Sequence, residues 1–330
     1  MLPPLAATRG AAPAAPRRRF YDIPGGRAFA YDVPAYHRCV ASGGGWLVLA
    51  AVDPPRRLVL ANPVTGARRV LAWPFGEKGS EGIRAVLTSS SADPDCFLAV
   101  ATDRLIAYCR PGRMGGAGGG GGGWATLRAP GYRHDTVASD MVALGSMVYL
   151  VNERRKVWRA ELAAAEPKVE RRDTAFALPH GGGEEAEDGR WGHYLVEAFG
   201  NIHLVVSDER HRRVALFRLS WQPRTWVPTR VSLLGDRVLL LGHGCSAAVP
   251  ASAAAGRAPG TVLFARQPWD PLHVASSVRD PVSLQWFWSE LRLDAGVGDP
   301  IVMRKTVPHW PGCFTAGDSF WFFPGIDRGA

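Results

Sequence analysis

The densest group of reactive side chains in this sequence is GHGCSAA, residues 242 to 248, where His243, Cys245 and Ser246 fall within four positions. An imidazole beside a thiol or hydroxyl is the arrangement that acyl transfer uses, provided the base lies within hydrogen-bond reach of the nucleophile. Serine catalysis would place its nucleophile in a G-x-S-x-G elbow between strand and helix, and no such pentad is present. On a strand, Cys245 and Ser246 would point to opposite faces. The stretch therefore reads as a β-turn with a buried cysteine, and no catalytic residue is assigned.

The other candidates for chemistry fail on spacing. Nine histidines are present, but without HExxH, HxH or a Cys-His cluster, and His193, His203, His211 and His243 fall on separate expected segments. Five cysteines, Cys39, Cys96, Cys109, Cys245 and Cys313, are an odd number with no CxxC pair, so neither a disulfide framework nor a zinc site is written here. The glycine tract at 115 to 123 satisfies GxGxxG trivially, yet it lacks the GK[ST] of a phosphate cradle and does not lead a strand into a helix. Paired acids at Glu184-Glu185 and Glu187-Asp188 fall in a loop that cannot hold two carboxylates at a fixed separation. No metal and no cofactor is expected.

Charge is the remaining signal. The chain carries a formal +9 and a pI near 9.7, from 39 Lys and Arg against 30 Asp and Glu scattered along its length. Basic groups occur at Arg17 to Arg19, Arg154 to Lys156 and Arg210 to Arg213. Nucleic-acid binding would want such charge on one face with exposed aromatics beside it. Here the aromatics sit inside apolar runs and the charges in expected turns, as solvated hairpin tips would have them, so nucleic acid is not the expected partner. The functional reading of the inner clusters is a shared rim of Arg154, Arg155, Lys156, Arg210, Arg212 and Arg213 that receives an acidic or phosphorylated protein surface.

The elements that would position these groups are short. Gly 38, Pro 26 and Trp 12 favour many turns and bulky apolar anchors over long helices. From RRRFYDIPGG onward, apolar segments with β-branched and aromatic residues alternate with Gly, Pro, Asn and Asp. FLAVATDRLIAYC reads as strand, turn, strand. MVALGSMVYLVNERRKVWRAEL reads as three strands turning at Gly145-Ser146 and at Asn152 to Lys156, and LVEAFGNIHLVVSDERHRRVALFRLS repeats that plan, with its first turn at Gly200-Asn201. Units of this kind recurring roughly every 45 to 55 residues imply an all-β propeller of about six blades, with seven possible and no large helical domain. A pair of β-sandwiches is the rival. Residues 1–18 are expected to be a disordered Ala/Pro-rich leader, 19–330 the propeller, and 112–123 a mobile Gly-rich insertion. No signal peptide or apolar run long enough for a membrane span is seen, which points to cytoplasm or nucleus.

Several ordered motifs resemble the plant DUF295 family, the KIB1-4 β-propeller domain. Trp46 lies in a Gly-Trp-Leu strand; Asn62, Pro63, Thr65 and Gly66 form a Leu-x-Asn-Pro-x-Thr-Gly turn; Asp95 and Cys96 precede an apolar strand; Leu234, Gly235, Asp236, Arg237, Leu241 and Gly242 match Leu-Gly-Asp-Arg-x-x-x-Leu-Gly. The resemblance runs from about residue 19 to the terminal SFWFFPG. It implies a propeller that recruits a substrate, in a family whose members usually carry an N-terminal F-box docking on a Skp1-type adaptor of a ubiquitin ligase. Here MLPP resembles the junction after that module, and no F-box helices precede it, so the adaptor is expected as a partner only if an upstream F-box exists. The expected function is a protein-interaction module without enzymatic activity, plausible as substrate recognition for an SCF-type ligase. The alternatives are an enzyme with an axial pocket or a basic nucleic-acid binder.

Overall fold

Glycine and asparagine turns cut the chain into strands too short to bury their backbone groups alone, so each strand pairs with the next and the pairs stack. A computed structural model describes residues 17–22, 27–34, 37–51, 56–75, 83–102, 105–113, 123–128, 138–152, 156–172, 191–208, 214–221, 224–228, 235–242, 244–254, 257–265, 287–292 and 301–306. A ribbon comes first, β1 (Arg17–Asp22) with β2 (Arg27–Pro34). Sheet one is β3 (His37–Gly43), β4 (Trp46–Ala51), β5 (Arg57–Ala61) and β6 (Arg68–Ala72). Sheet two is β7 (Arg84–Leu87), β8 (Leu98–Ala101), β9 (Leu105–Cys109) and β10 (Ala125–Arg128). Sheet three is β11 (Ala138–Leu144), β12 (Met147–Asn152), β13 (Val157–Glu161) and β14 (Val169–Arg172). Sheet four is β15 (Trp191–Ala198), β16 (Asn201–Asp208), β17 (Val214–Trp221) and β18 (Arg224–Pro228). These four are antiparallel meanders in chain order.

The fifth sheet breaks the pattern. It contains β19 (Arg237–Leu241), β20 (Ala247–Pro250), β21 (Thr261–Ala265), β22 (Phe287–Arg292) and β23 (Ile301–Thr306), in the order β20-β19-β21-β22-β23. The chain returns from β19 along its inner side as β20, so β21 must pair on the outer side, and it does so parallel to β19. The protein is thus an all-β propeller of five blades, close to the six expected, and its only described helical turns are the three-residue Pro111–Arg113 and Ala251–Ala253.

The core is divided by blade. The innermost strands β3, β7, β11 and β15 neighbour one another in turn, and β20 takes the corresponding place beside β15. Strand side chains alternate between faces, so each sheet feeds two cores. Leu58, Leu60 and Trp46 of sheet one meet Leu98 and Val100 of sheet two. Ala99 and Ile106 then meet Leu150 and Trp158. Tyr149 and Val151 meet Leu204 and Phe217, and Val196 and Val205 meet Leu239 and Phe264. Trp158 is the largest fully buried side chain among the described residues.

The turns follow the sequence, with one displacement. Gly145 (φ +58) makes the β11–β12 turn, as expected. The β15–β16 turn is Phe199-Gly200 and not Gly200-Asn201, because Ala198 pairs with Asn201. Both central residues have positive φ, +52 and +71, the geometry that matches strand twist in a two-residue hairpin.

The axis, the turns and the two rims

Asp140 stands at the head of the apolar run Met141 to Leu144 in β11, and the register of this strand shifts between Ala138 and Asp140. Its side chain is fully buried. Oδ1 accepts from the amides of Met141 at 2.9 Å and Gly244 at 2.7 Å, while Oδ2 accepts from the amide of Leu195 at 2.8 Å. Sheet three, sheet four and the loop of sheet five therefore meet on one carboxyl group. Burial pushes its pKa up to about 7, against the downward pull of the three amides and of Arg84. Arg84 Nε donates to the Ser139 carbonyl at 2.9 Å, joining β7 to β11 beside the same point.

Gly244 is the other half of this hub. Its φ is +70, and a Cβ there would lie 2.4 Å from the Val40 carbonyl oxygen and 3.3 Å from that of Ala85. Its own carbonyl accepts from the Ser42 amide at 3.1 Å. One glycine thus touches β3, β7 and β11, tying the last sheet to the first through the centre.

The reactive-looking GHGCSAA is accordingly an architectural turn. Cys245 N donates to the Gly242 carbonyl at 3.0 Å, and Cys245 is buried. The Ser246 hydroxyl donates to the Gly242 carbonyl at 3.0 Å and accepts from its amide at 3.2 Å. His243 lies outside the described residues. Other thiols are poor nucleophiles here: burial raises the pKa of Cys96 and pushes Cys109 up to about 12. Burial also lowers the pKa of His203. Among the described residues, no three of His, Cys, Asp and Glu gather to hold a metal ion.

Of the six basic residues expected at a rim, the structure describes Lys156; Arg154, Arg155, Arg210, Arg212 and Arg213 lie outside the described residues. Lys156 N donates to Asn152 Oδ1 at 2.8 Å, and Asn152 N to the Lys156 carbonyl at 3.2 Å, closing the β12–β13 connection. The strand ends Val151 with Val157, and Ser207 with Val214, are corresponding positions in sheets three and four, whose inner strands β11 and β15 pack together.

The opposite rim carries the turns between first and second strands and between third and fourth strands. Asn62 Oδ1 accepts from the amides of Val64 and Thr65, both at 3.0 Å, and Thr65 Oγ1 from Ala67 N at 3.3 Å. Gly66 closes this turn at φ +73. The arginine–aromatic contacts of the described residues are also here. Arg69 lies 6.0 Å from the Trp46 ring centre, Arg110 4.6 Å from Phe97, and Arg237 5.0 Å from Phe199. Phe199 itself is 55% exposed. Sequence reasoning missed both this rim and Asp140. The one visible sign of Asp140 was a lone acid at the mouth of the apolar run DMVAL.

The residues that carried the family resemblance prove to be turn and core residues: Asn62, Thr65 and Gly66 build a turn, Cys96 and Leu241 are buried, and Gly235 turns at φ +59. No curated protein matches the chain. The family model described as KIB1-4 beta-propeller matches residues 20–287, and with five blades meeting on Asp140 and Gly244 the chain belongs to the KIB1-4 β-propeller family.

Proposed function

We propose that this propeller is a protein-interaction module whose task is to present rim loops to a partner, as the substrate-recognition part of an SCF-type ubiquitin ligase. The carrying observation is the Asp140–Gly244 hub: the carboxyl group that reaches the axis gives its oxygens to three backbone amides, where an enzyme would keep polar groups for a substrate. The KIB1-4 propeller is in general a non-catalytic interaction domain, which supports the same reading. A rigid ring with loops at both ends suits an interface of the usual size, about 1,600 Å² in total.

The proposed contacts are Arg154, Arg155, Lys156, Arg210, Arg212 and Arg213. Reversing these charges to Glu weakens partner capture, more at low than at high ionic strength. Affinity purification of the wild-type and reversed chains, compared quantitatively at two salt concentrations, is the test; equal recovery retires the six residues. Repeating it with the upstream coding segment attached tests the ligase assignment, which needs recovery of a Skp1-type adaptor.

A further inference from the structure

The three arginines stacked on rings share one end of the propeller. Arg69 is the second residue of β6 and Trp46 begins β4, both next to the turns that link first to second and third to fourth strands. Phe97 precedes β8 and Arg110 follows β9, at the same end of sheet two. Phe199 is the β15–β16 turn and Arg237 begins β19. Close contacts tie these turns together: a Cβ on Gly44 would lie 2.7 Å from Ser90 Cα, and one on Gly112 would lie 3.5 Å from Pro94 Cα and 3.6 Å from Arg69 Nη1.

A ring face attracts the guanidinium above it, and that group carries its N–H donors in a planar fork that fits a carboxylate. The acids beside these arginines do not fill that fork. Asp95 stands 3.8 Å from Arg110 and 3.7 Å from Arg113, and Asp236 stands 3.7 Å from Arg237, all beyond a charge-assisted hydrogen bond. Both carboxylates are largely exposed, at 75% and 69%. Arg69 pairs with no acid among the described residues. Phe199 adds an exposed aromatic face held at positive φ, a conformation that costs an L-residue energy and that the fold alone would fill with Asn or Gly.

We infer that this rim is a second docking surface, and that its occupant is a carboxylate-rich segment of a protein partner, held by Arg69, Arg110 and Arg237, with its aliphatic carbons lying on Phe199. The inference rests on the interaction-module reading and concerns the rim opposite to Lys156. Charge complementarity selects the acidic segment, because on a chain of net +9 these three arginines over rings meet no acid at hydrogen-bonding distance among the described residues, only the loose pairs with Asp95 and Asp236.

The test is titration of a fluorescent deca-glutamate peptide against three purified chains. Arg69, Arg110 and Arg237 all changed to Gln weakens binding about tenfold or more, the loss expected for removed charged hydrogen bonds. Arg57, Arg128 and Arg218, exposed and unstacked, changed to Gln remove the same charge and change binding by less than about threefold. A third chain with R69K, R110K and R237K keeps the charge and the fold but loses the fork, and binds weakly like the first. Equal loss in the first two chains, full binding by the lysine chain, or tighter binding of a ten-phosphate oligonucleotide than of the peptide would overturn the inference. Intact partner capture beside any such result leaves the interaction reading standing. Selective peptide binding without any captured partner removes that reading alone.

Discussion

At the scale of single residues, Asp140 shows how a group that looks catalytic can be spent on architecture. Asp140→Asn keeps the shape but offers an NH2 where two oxygens faced three amides, so at least one buried amide loses its acceptor. The expected cost is about 1–3 kcal/mol, read by chemical denaturation. Its pH behaviour has a definite sign. The folded pKa is raised, chiefly by burial, from 3.8 to about 7, so the folded state holds a proton that the unfolded state has released between those values. Asp140's titration therefore favours folding most below about pH 4, and this contribution falls as pH rises to about 7 and is flat beyond. The difference between wild-type and Asp140→Asn stability, followed across that range, should carry this slope. Phe199 makes the opposite case. Left-handed geometry costs an L-residue about 1–2 kcal/mol, and its contact with Arg237 returns about 0.5–1. Phe199→Asn should accordingly raise the melting temperature while weakening acidic-peptide binding.

At the scale of elements, two glycines with nearly equal φ separate local from global demands. Gly66 (φ +73) has open space around its missing Cβ, whereas Gly244 (φ +70) meets backbone on two sides. Gly66→Ala should cost only the backbone term, about 1–2 kcal/mol. Gly244→Ala adds a clash that no side-chain rotation relieves, and about 2–6 kcal/mol is expected by the same denaturation measurement. The turn at Asn62 to Ala67 was legible because its hydrogen bonds are local: Asn62, Thr65 and Gly66 each act within a few residues. The β15–β16 turn was misread by one residue because Gly-Asn looked like the hairpin pair. The ladder instead pairs Ala198 with Asn201 and Leu195 with Leu204, which leaves Phe199 and Gly200 as the two turn positions, and the pairing outweighs the preference of Phe199.

At the scale of the molecule, the blades are stapled by shared cores as well as by the Asp140–Gly244 centre. Trp158 lies in the core that sheet two shares with sheet three. Trp158→Ala should cost about 3–5 kcal/mol and destabilise the whole ring, since neighbouring blades lose their common packing. A single cooperative melt at lower temperature is the expected observation. The sequence by itself determined the strands and most of their turns, because alternation, Gly and Asn act over a few residues and leave a readable trace. It also determined that the chain would stack β-sheets, because its apolar segments are short and bulky. Only the tertiary structure decided that β20 runs back inside β19, that Asp140 meets amides from two other sheets, and that three arginines stand on rings at one rim. The Asp140 bonds to Leu195 and Gly244 span 55 and 104 positions, and nothing in a local pattern records which distant backbone will come to fill a given space.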